Sequence, residues 1–134
     1  MTDLSIIIVS WNVRHLLRRC LASIYDSVGM CADEAAPGET LAIEVIVVDN
    51  ASTDGTVEMV EGSFPSAQVV ANRSNRGFPA ANNQGIRRAG GRYVLLLNPD
   101  TEVLDGALLQ MTSFADTHPD VGMVGPQLLN PDGT

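Results

Sequence analysis

An α/β domain, with a mostly parallel sheet covered by helices on both faces, is predicted by three features of this sequence. Apolar runs at Leu4–Val9, Ile43–Val48 and Arg92–Leu97 read as strands, the first with the pattern of a strand covered on both faces and the last as a buried strand. Segments of helical spacing lie between them, and alternation of strand and helix through short links implies parallel pairing with right-handed crossovers. Two of the runs break at acids. Val48 is followed by Asp49-Asn50-Ala51-Ser52 and Leu97 by Asn98-Pro99-Asp100-Thr101-Glu102, so two carboxylates lie beyond strand carboxyl ends, where open α/β sheets bind ligands.

Each element follows from local chemistry. Between Val13 and Ser27, Leu16, Leu17, Cys20, Leu21 and Ile24 recur on one helical face while Arg14, Arg18 and Arg19 fall elsewhere. Residues 29–42 combine Gly, Pro, Asp, Glu and small side chains without periodicity, the composition of a mobile surface loop. Ser52-Thr53-Asp54-Gly55 is suited to capping a helix that runs to about Glu61. Gln68–Ala71 reads as a weak third strand, and Asn72–Gly77 as a polar loop. Pro79 then takes the first-turn position that proline tolerates, with Gly90-Gly91 as a left-handed stop for that helix. Asp105 is placed to cap a last helix bearing Leu108, Met111 and Ala115, ended by His118-Pro119, and Val121–Val124 reads as one more strand.

The totals limit what such a domain does. With 134 residues, 45% of them hydrophobic, and a mean hydropathy of +0.10, residues 1–134 suit a single domain with one real core. A formal net charge of −8 and a pI near 4.4 exclude unspecific attraction to nucleic acid or to an anionic membrane surface. Cys20 and Cys31 have no metal-ligand spacing and are too few for a disulfide framework, which points to a reducing compartment; Cys20 falls on an apolar helical face and reads as packing. No signal peptide opens the chain, and no apolar stretch approaches the ~20 residues that span a bilayer. A soluble, cytoplasmic protein is expected, one that can still visit an acceptor at the inner face of the cell membrane.

Several residues carry chemistry. Val9-Ser10-Trp11-Asn12 brings backbone groups, two small polar side chains and an indole out at the end of the first strand, an edge able to hold a planar base. The simpler reading is a turn with a helix cap at Asn12. Asp49 is able to accept hydrogen bonds from a base or from ribose hydroxyls, or else to cap its own turn. Asn82, Asn83 and Gln84 put amides in need of partners in mid-helix. Arg76 is the best placed cation for a base or diphosphate, whereas Arg87 and Arg88 read as a solvated helix face. Asp100, with Asn98 two residues before it, offers hard oxygen ligands suited to Mg²⁺ or Mn²⁺, unless the Asn-Pro-Asp turn merely stops a strand. Two unit charges ~4 Å apart at an effective dielectric of ~20 interact by about 4 kcal/mol, so an acidic cleft repels a diphosphate unless a divalent ion reverses the local sign.

Taken together, Ser5–Asn12, Val47–Gly55, Asn75–Phe78, Ala81–Gly85, Leu97–Thr101 and Gly125–Thr134 closely resemble the family 2 glycosyltransferases, along essentially the whole chain. The nearest subgroup is similar to the bacterial rhamnosyltransferase-like enzymes of cell-envelope polysaccharide assembly. The resemblance implies a GT-A fold with a Rossmann-like nucleotide-binding half. It also implies inverting transfer of a sugar from a UDP- or dTDP-linked donor to a glycan or lipid-linked acceptor. By motif, Val9, Ser10, Trp11 and Asn12 would line the base and ribose pocket, and Asp49 would contact base or ribose. Arg76 and Ala81 would border the nucleotide, and Asn98 and Asp100 match the Asp-x-Asp position, with Asp100 holding the metal. Asn98 stands where the commonest form of that motif has its first aspartate. Family members continue into an acceptor-binding half that carries the general base, so a chain truncated before that half is expected to bind donor and metal without completing transfer. Such a half would expose apolar surface and self-associate through it.

Two other classes compete. A nucleotidyltransferase or other nucleotide-binding α/β protein is disfavoured, because neither Gly-x-x-x-x-Gly-Lys-Ser/Thr nor Gly-x-Gly-x-x-Gly follows the first strand. A non-catalytic nucleotide-sugar-binding or scaffold domain, completed by a partner chain, is the alternative.

Overall fold

The computed structural model describes residues 1–34 and 40–134. Its elements alternate as the apolar periodicities demand: β1 (Leu4–Ser10), α1 (Arg14–Glu34), β2 (Ile43–Asp49), α2 (Thr56–Ser63), β3 (Gln68–Ala71), α3 (Phe78–Ile86), β4 (Tyr93–Leu97) and α4 (Ala107–Thr117). The strands form one sheet in the order β3-β2-β1-β4, every pair parallel. β1 is central and all seven of its residues are buried, which is why its sequence is apolar at successive positions instead of alternating.

Side-chain alternation sends the two halves of each strand to different layers. Leu4, Ile6, Ile8, Val45 and Val47 pack with Leu17, Cys20, Leu21 and Ile24 of α1, Met59 and Val60 of α2, and Leu108 of α4. On the other face Ile7, Val9, Ile46 and Val48 pack against Ala81 of α3. Helices thus cover both faces of β1 and β2, in the mostly parallel three-layer arrangement expected, whereas β4, expected as a buried strand, leaves Val94 and Leu96 exposed because α3 packs on β1 and β2 instead. Cys20 is fully buried, as its helical position implied.

Four expectations are corrected. The first helix continues past Ser27 to Glu34, so the loop expected over 29–42 begins later; residues 35–39 of that expectation lie outside the described residues. α3 ends at Ile86, with Arg87 as a right-handed C-cap. Gly90 and Gly91 are not the left-handed stop, and Gly91 is needed for space: a Cβ there would lie 2.7 Å from the Ser5 backbone nitrogen. Asp105 does not cap α4, because Gly106 at φ 78° takes that position without a side-chain bond. Val121–Val124 forms no strand; the segment is largely exposed, and β4 remains an edge of the sheet.

The amino ends of the strands are tied by polar groups. Glu44 accepts hydrogen bonds from the Ser5 hydroxyl, the Gly90 amide and Gln68, and these donors hold its carboxyl below the usual carboxylate range. Arg92 bonds both Asp3 and Asp116, and the Tyr93 hydroxyl donates to Asp116 at 2.7 Å, linking β4 to β1 and to the end of α4. The opposite, carboxyl edge is left for other work.

Candidate nucleotide-binding edge

From β1 the chain steps outward to β2 and β3, then returns to the far side of β1 as β4. The carboxyl ends of β1 and β4 therefore flank a topological switch point, the place where ligands bind in open α/β sheets. Asp49 pairs in register with Ser10, and Leu97 with Ile8, so the segments carrying Trp11, Asn50 and Asn98 all leave the sheet at this one edge. β2 and β4 are separated by β1 alone; two strand spacings put their ends about 10 Å apart, the order of length of a nucleoside diphosphate.

Asp49 and Asp100 share that edge but not a condition. Asp49 is 1% exposed, and its carboxylate accepts from the Ser10 hydroxyl at 3.0 Å, the Ser52 amide at 2.8 Å and the Ser52 hydroxyl at 2.6 Å. The turn-capping alternative for Asp49 is what the contacts display: it organises its own turn, and Ser10, itself buried, donates to the same carboxylate. Asp100 is exposed and receives no hydrogen bond or ion pair from the described residues.

The first strand end is held from across the sheet. Asn12 adopts φ 51°, and rather than capping α1 its side-chain oxygen accepts from the Thr53 amide while its amide donates to Ser52. α1 takes its cap from Asp54, whose Oδ2 accepts the Arg14 amide at 3.0 Å; Oδ1 of the same carboxylate accepts both amide and hydroxyl of Thr56 at the start of α2. One aspartate thus serves two helix starts. Trp11 is left 56% exposed, an indole standing free at the edge.

Asn50 is the residue that the sequence did not single out. It is 2% exposed; its side-chain oxygen accepts from Asn72 and from the Arg76 amide, and its nitrogen donates to the Gly77 carbonyl. Asn72 and Gln84 exchange a reciprocal pair of amide hydrogen bonds at 2.8 Å, and Asn82 donates to the Phe78 carbonyl. Of the mid-helix amides, Gln84 therefore braces the 72–77 loop, Asn82 turns back on its own helix and Asn83 is exposed, while the exposed Arg76 side chain is left at the edge. An asparagine straight after a strand-ending aspartate was the one available signal. Ala51, at φ 64°, is a non-glycine residue in the left-handed region between these two networks. Ala81 is fully buried beneath β1 and β2, so it supports the edge from below and offers a ligand no surface.

No group of three or more His, Cys, Asp or Glu side chains able to hold a metal occurs among the described residues. One open carboxylate with an exposed amide nearby still fits the way Mg²⁺ or Mn²⁺ binds phosphorylated ligands, through one or two protein carboxylates plus phosphate oxygens and water.

Comparison with known proteins gives the family of this chain. The family model described as "Glycosyl transferase family 2" matches residues 5–134. The chain is 27% identical over 103 residues to an N-acetylglucosaminyl-diphospho-decaprenol L-rhamnosyltransferase of Mycobacterium tuberculosis, covering 69% of this chain and 34% of that protein. Among solved structures, S. aureus TarS 1-349 in complex with UDP superposes with a TM-score of 0.70 at 25% identity, over 94% of this chain and 38% of that one. The mannosyltransferase PcManGT from Pyrobaculum calidifontis, in complex with GDP-Man and Mn²⁺, gives 0.67 at 26% identity, over 84% and 32%. The chain spans about a third of the length of these relatives.

Proposed function

Because the chain belongs to glycosyl transferase family 2, we propose that its carboxyl edge is the donor site of an enzyme moving a sugar from a nucleoside diphosphate to a glycan or lipid-linked acceptor. The observation that carries this reading is the unengaged Asp100 carboxylate beside a switch point between β1 and β4. The base lies against Trp11, over the turn that Ser10, Asn12 and Asp49 hold together. The diphosphate extends toward β4, with Arg76 as the nearest exposed cation of the braced loop. Rhamnose as the sugar and a UDP or dTDP carrier are parts of the same proposal, in line with a relative named as a rhamnosyltransferase. An acceptor at the inner face of the membrane is compatible with it; no described helix is long and apolar enough to cross a membrane.

Asp100 and Asn98 would hold Mg²⁺ or Mn²⁺, which when bound supplies positive charge against the departing diphosphate. This chain's own residues then have three tasks. Trp11 covers one face of the base and excludes water there. Asn50, through the Arg76 amide and the Gly77 carbonyl, fixes the loop that borders the phosphates. Asp100 sets the end of the edge at which the diphosphate leaves. In inverting transfer the acceptor oxygen bonds to the anomeric carbon as the bond to the diphosphate breaks, and the hydroxyl proton passes to a base. None of the residues placed at this edge is assigned that role, so donor binding is the activity proposed for these residues.

Calorimetric titration with uridine, thymidine and guanosine diphosphates, each with and without Mn²⁺, tests base, phosphate and ion together. The proposal requires affinity that rises with Mn²⁺ and falls on Asp100→Ala. Equal affinities with and without the ion, unchanged by that substitution, would sink it.

A further inference from the structure

The Asp100 side chain is unsupported by the described residues, so its location depends on the backbone of the turn that carries it. That turn closes on itself at one point only: the Asn98 carbonyl accepts the Thr101 hydroxyl at 2.7 Å and the Thr101 amide at 3.3 Å. Among the described residues, its other polar contacts come from a single stretch of α1. The Val103 amide donates to the Ser23 hydroxyl oxygen at 2.9 Å, and that hydroxyl donates in turn to the Cys20 carbonyl at 2.7 Å. The Cys20 thiol lies 3.9 Å from the Asn98 carbonyl oxygen. Outside them Arg19 pairs with Glu102, but these side chains are 69% and 49% exposed, so solvent screens the pair.

We propose that Ser23, backed by the Cys20 thiol and carbonyl, is a positioning residue for the Asp100 carboxylate; this deepens the donor-site reading and rests on it. Cys20 and Ser23 are three apart on α1 and so lie on one helical face. They touch the turn on both sides of Asp100, at Asn98 and at Val103. A helical serine commonly returns its proton to the carbonyl three or four residues back. Ser23 does so, which leaves its oxygen lone pairs for the Val103 amide. With Ser23 replaced by alanine, a part-buried amide loses its acceptor and the far end of the turn is released.

Three variants of the whole chain, Ser23→Ala, Ser23→Thr and Ser23→Cys, are compared with the wild type by calorimetry with Mn²⁺ and UDP and with uridine alone. Hydrogen exchange of the peptide spanning residues 98–104 is followed in parallel. Ser23→Ala is expected to weaken Mn²⁺-dependent UDP affinity by about five- to tenfold, the equivalent of one hydrogen bond. Uridine affinity should stay within about twofold, exchange at Val103 should quicken, and Ser23→Thr should restore both. Should Ser23→Ala not fold, Ser23→Cys, with its weaker acceptor, is expected to show the same selective loss. Wild-type UDP affinity in Ser23→Ala, or equal losses for UDP and uridine, would overturn the positioning role while leaving the donor site standing. Absence of any Mn²⁺-dependent UDP binding in the wild type would remove both.

Discussion

The end of β2 and the end of β4 begin from the same pattern, an apolar run halted by an acid, and finish in opposite states. At β2, Asp49 is buried and answers three donors from Ser10 and Ser52, while Asn50 next to it ties down the 72–77 loop. At β4, Asp100 is exposed and the strand beneath it leaves Val94 and Leu96 45% and 50% accessible. The difference teaches that one half of the edge is built to be rigid and the other to be available. A buried carboxylate engaged by three donors of its own edge shapes a site, and one left open can receive a ligand.

The contrast breaks most visibly at Asp49. Asp49→Ala should cost about 3 kcal/mol, because it strips a buried hydroxyl and amide of a charged acceptor; chemical denaturation reads the loss. A stability within about 0.5 kcal/mol of wild type would mean that the β2 turn is no more committed than the β4 turn. Next in size is Gly91→Ala at the start of β4, where the added carbon meets the Ser5 backbone; about 2 kcal/mol of destabilisation is expected from overpacking.

Glu44→Gln should cost about 1 kcal/mol at neutral pH, and its pH dependence carries a sign. The folded-state pKa of Glu44 is lowered by the Ser5 hydroxyl and the Gly90 amide, so its contribution is present above the ordinary carboxylate value of about 4.3 and is lost as pH falls through the lowered folded value. Unfolding of wild type and variant should therefore converge in acid; a gap that persists there removes the charge from the explanation. Smallest of all, Asp100→Ala should change stability by under about 0.5 kcal/mol while abolishing the Mn²⁺-dependent part of nucleotide affinity. A large stability loss instead would make Asp100 a second Asp49 and erase the contrast.

β1 was legible because burial on both faces writes itself as an unbroken apolar run; Leu4, Ile43 and Gln68 open strands where the pattern placed them, and Tyr93 opens β4 one residue after the expected Arg92. The carboxyl edge was legible for the related reason that chain polarity changes abruptly at Asp49 and Asn98. Helix ends were harder. Asp105 has the chemistry of a cap, yet Gly106 takes the left-handed geometry the junction needs. Gly90-Gly91 looked like punctuation, whereas Gly91 is dictated by a contact with a strand 86 residues away. The capping of its own turn by Asp49 was legible, because Ser52 is three residues on; its bond to Ser10 and the bracing by Asn50 were hidden for that reason too, since Ser10, Asn72 and Arg76 become neighbours only after the sheet has formed.

The strand order has one further effect, on how the chain reaches this state. Ser10 meets Asp49 across 39 residues, whereas Asp3 meets Arg92 across 89. The longer closure costs about 0.7 kcal/mol more in chain entropy and has to wait for β4 to be synthesised. A β1–α1–β2 nucleus should therefore assemble first and β4 dock last, a sequence that pulsed hydrogen exchange during refolding would display as early protection at Val45–Val48 and late protection at Val94–Leu97. The Asp100 turn, borne on the last strand to arrive, would then be the last part of the edge to take its place and the first to leave it.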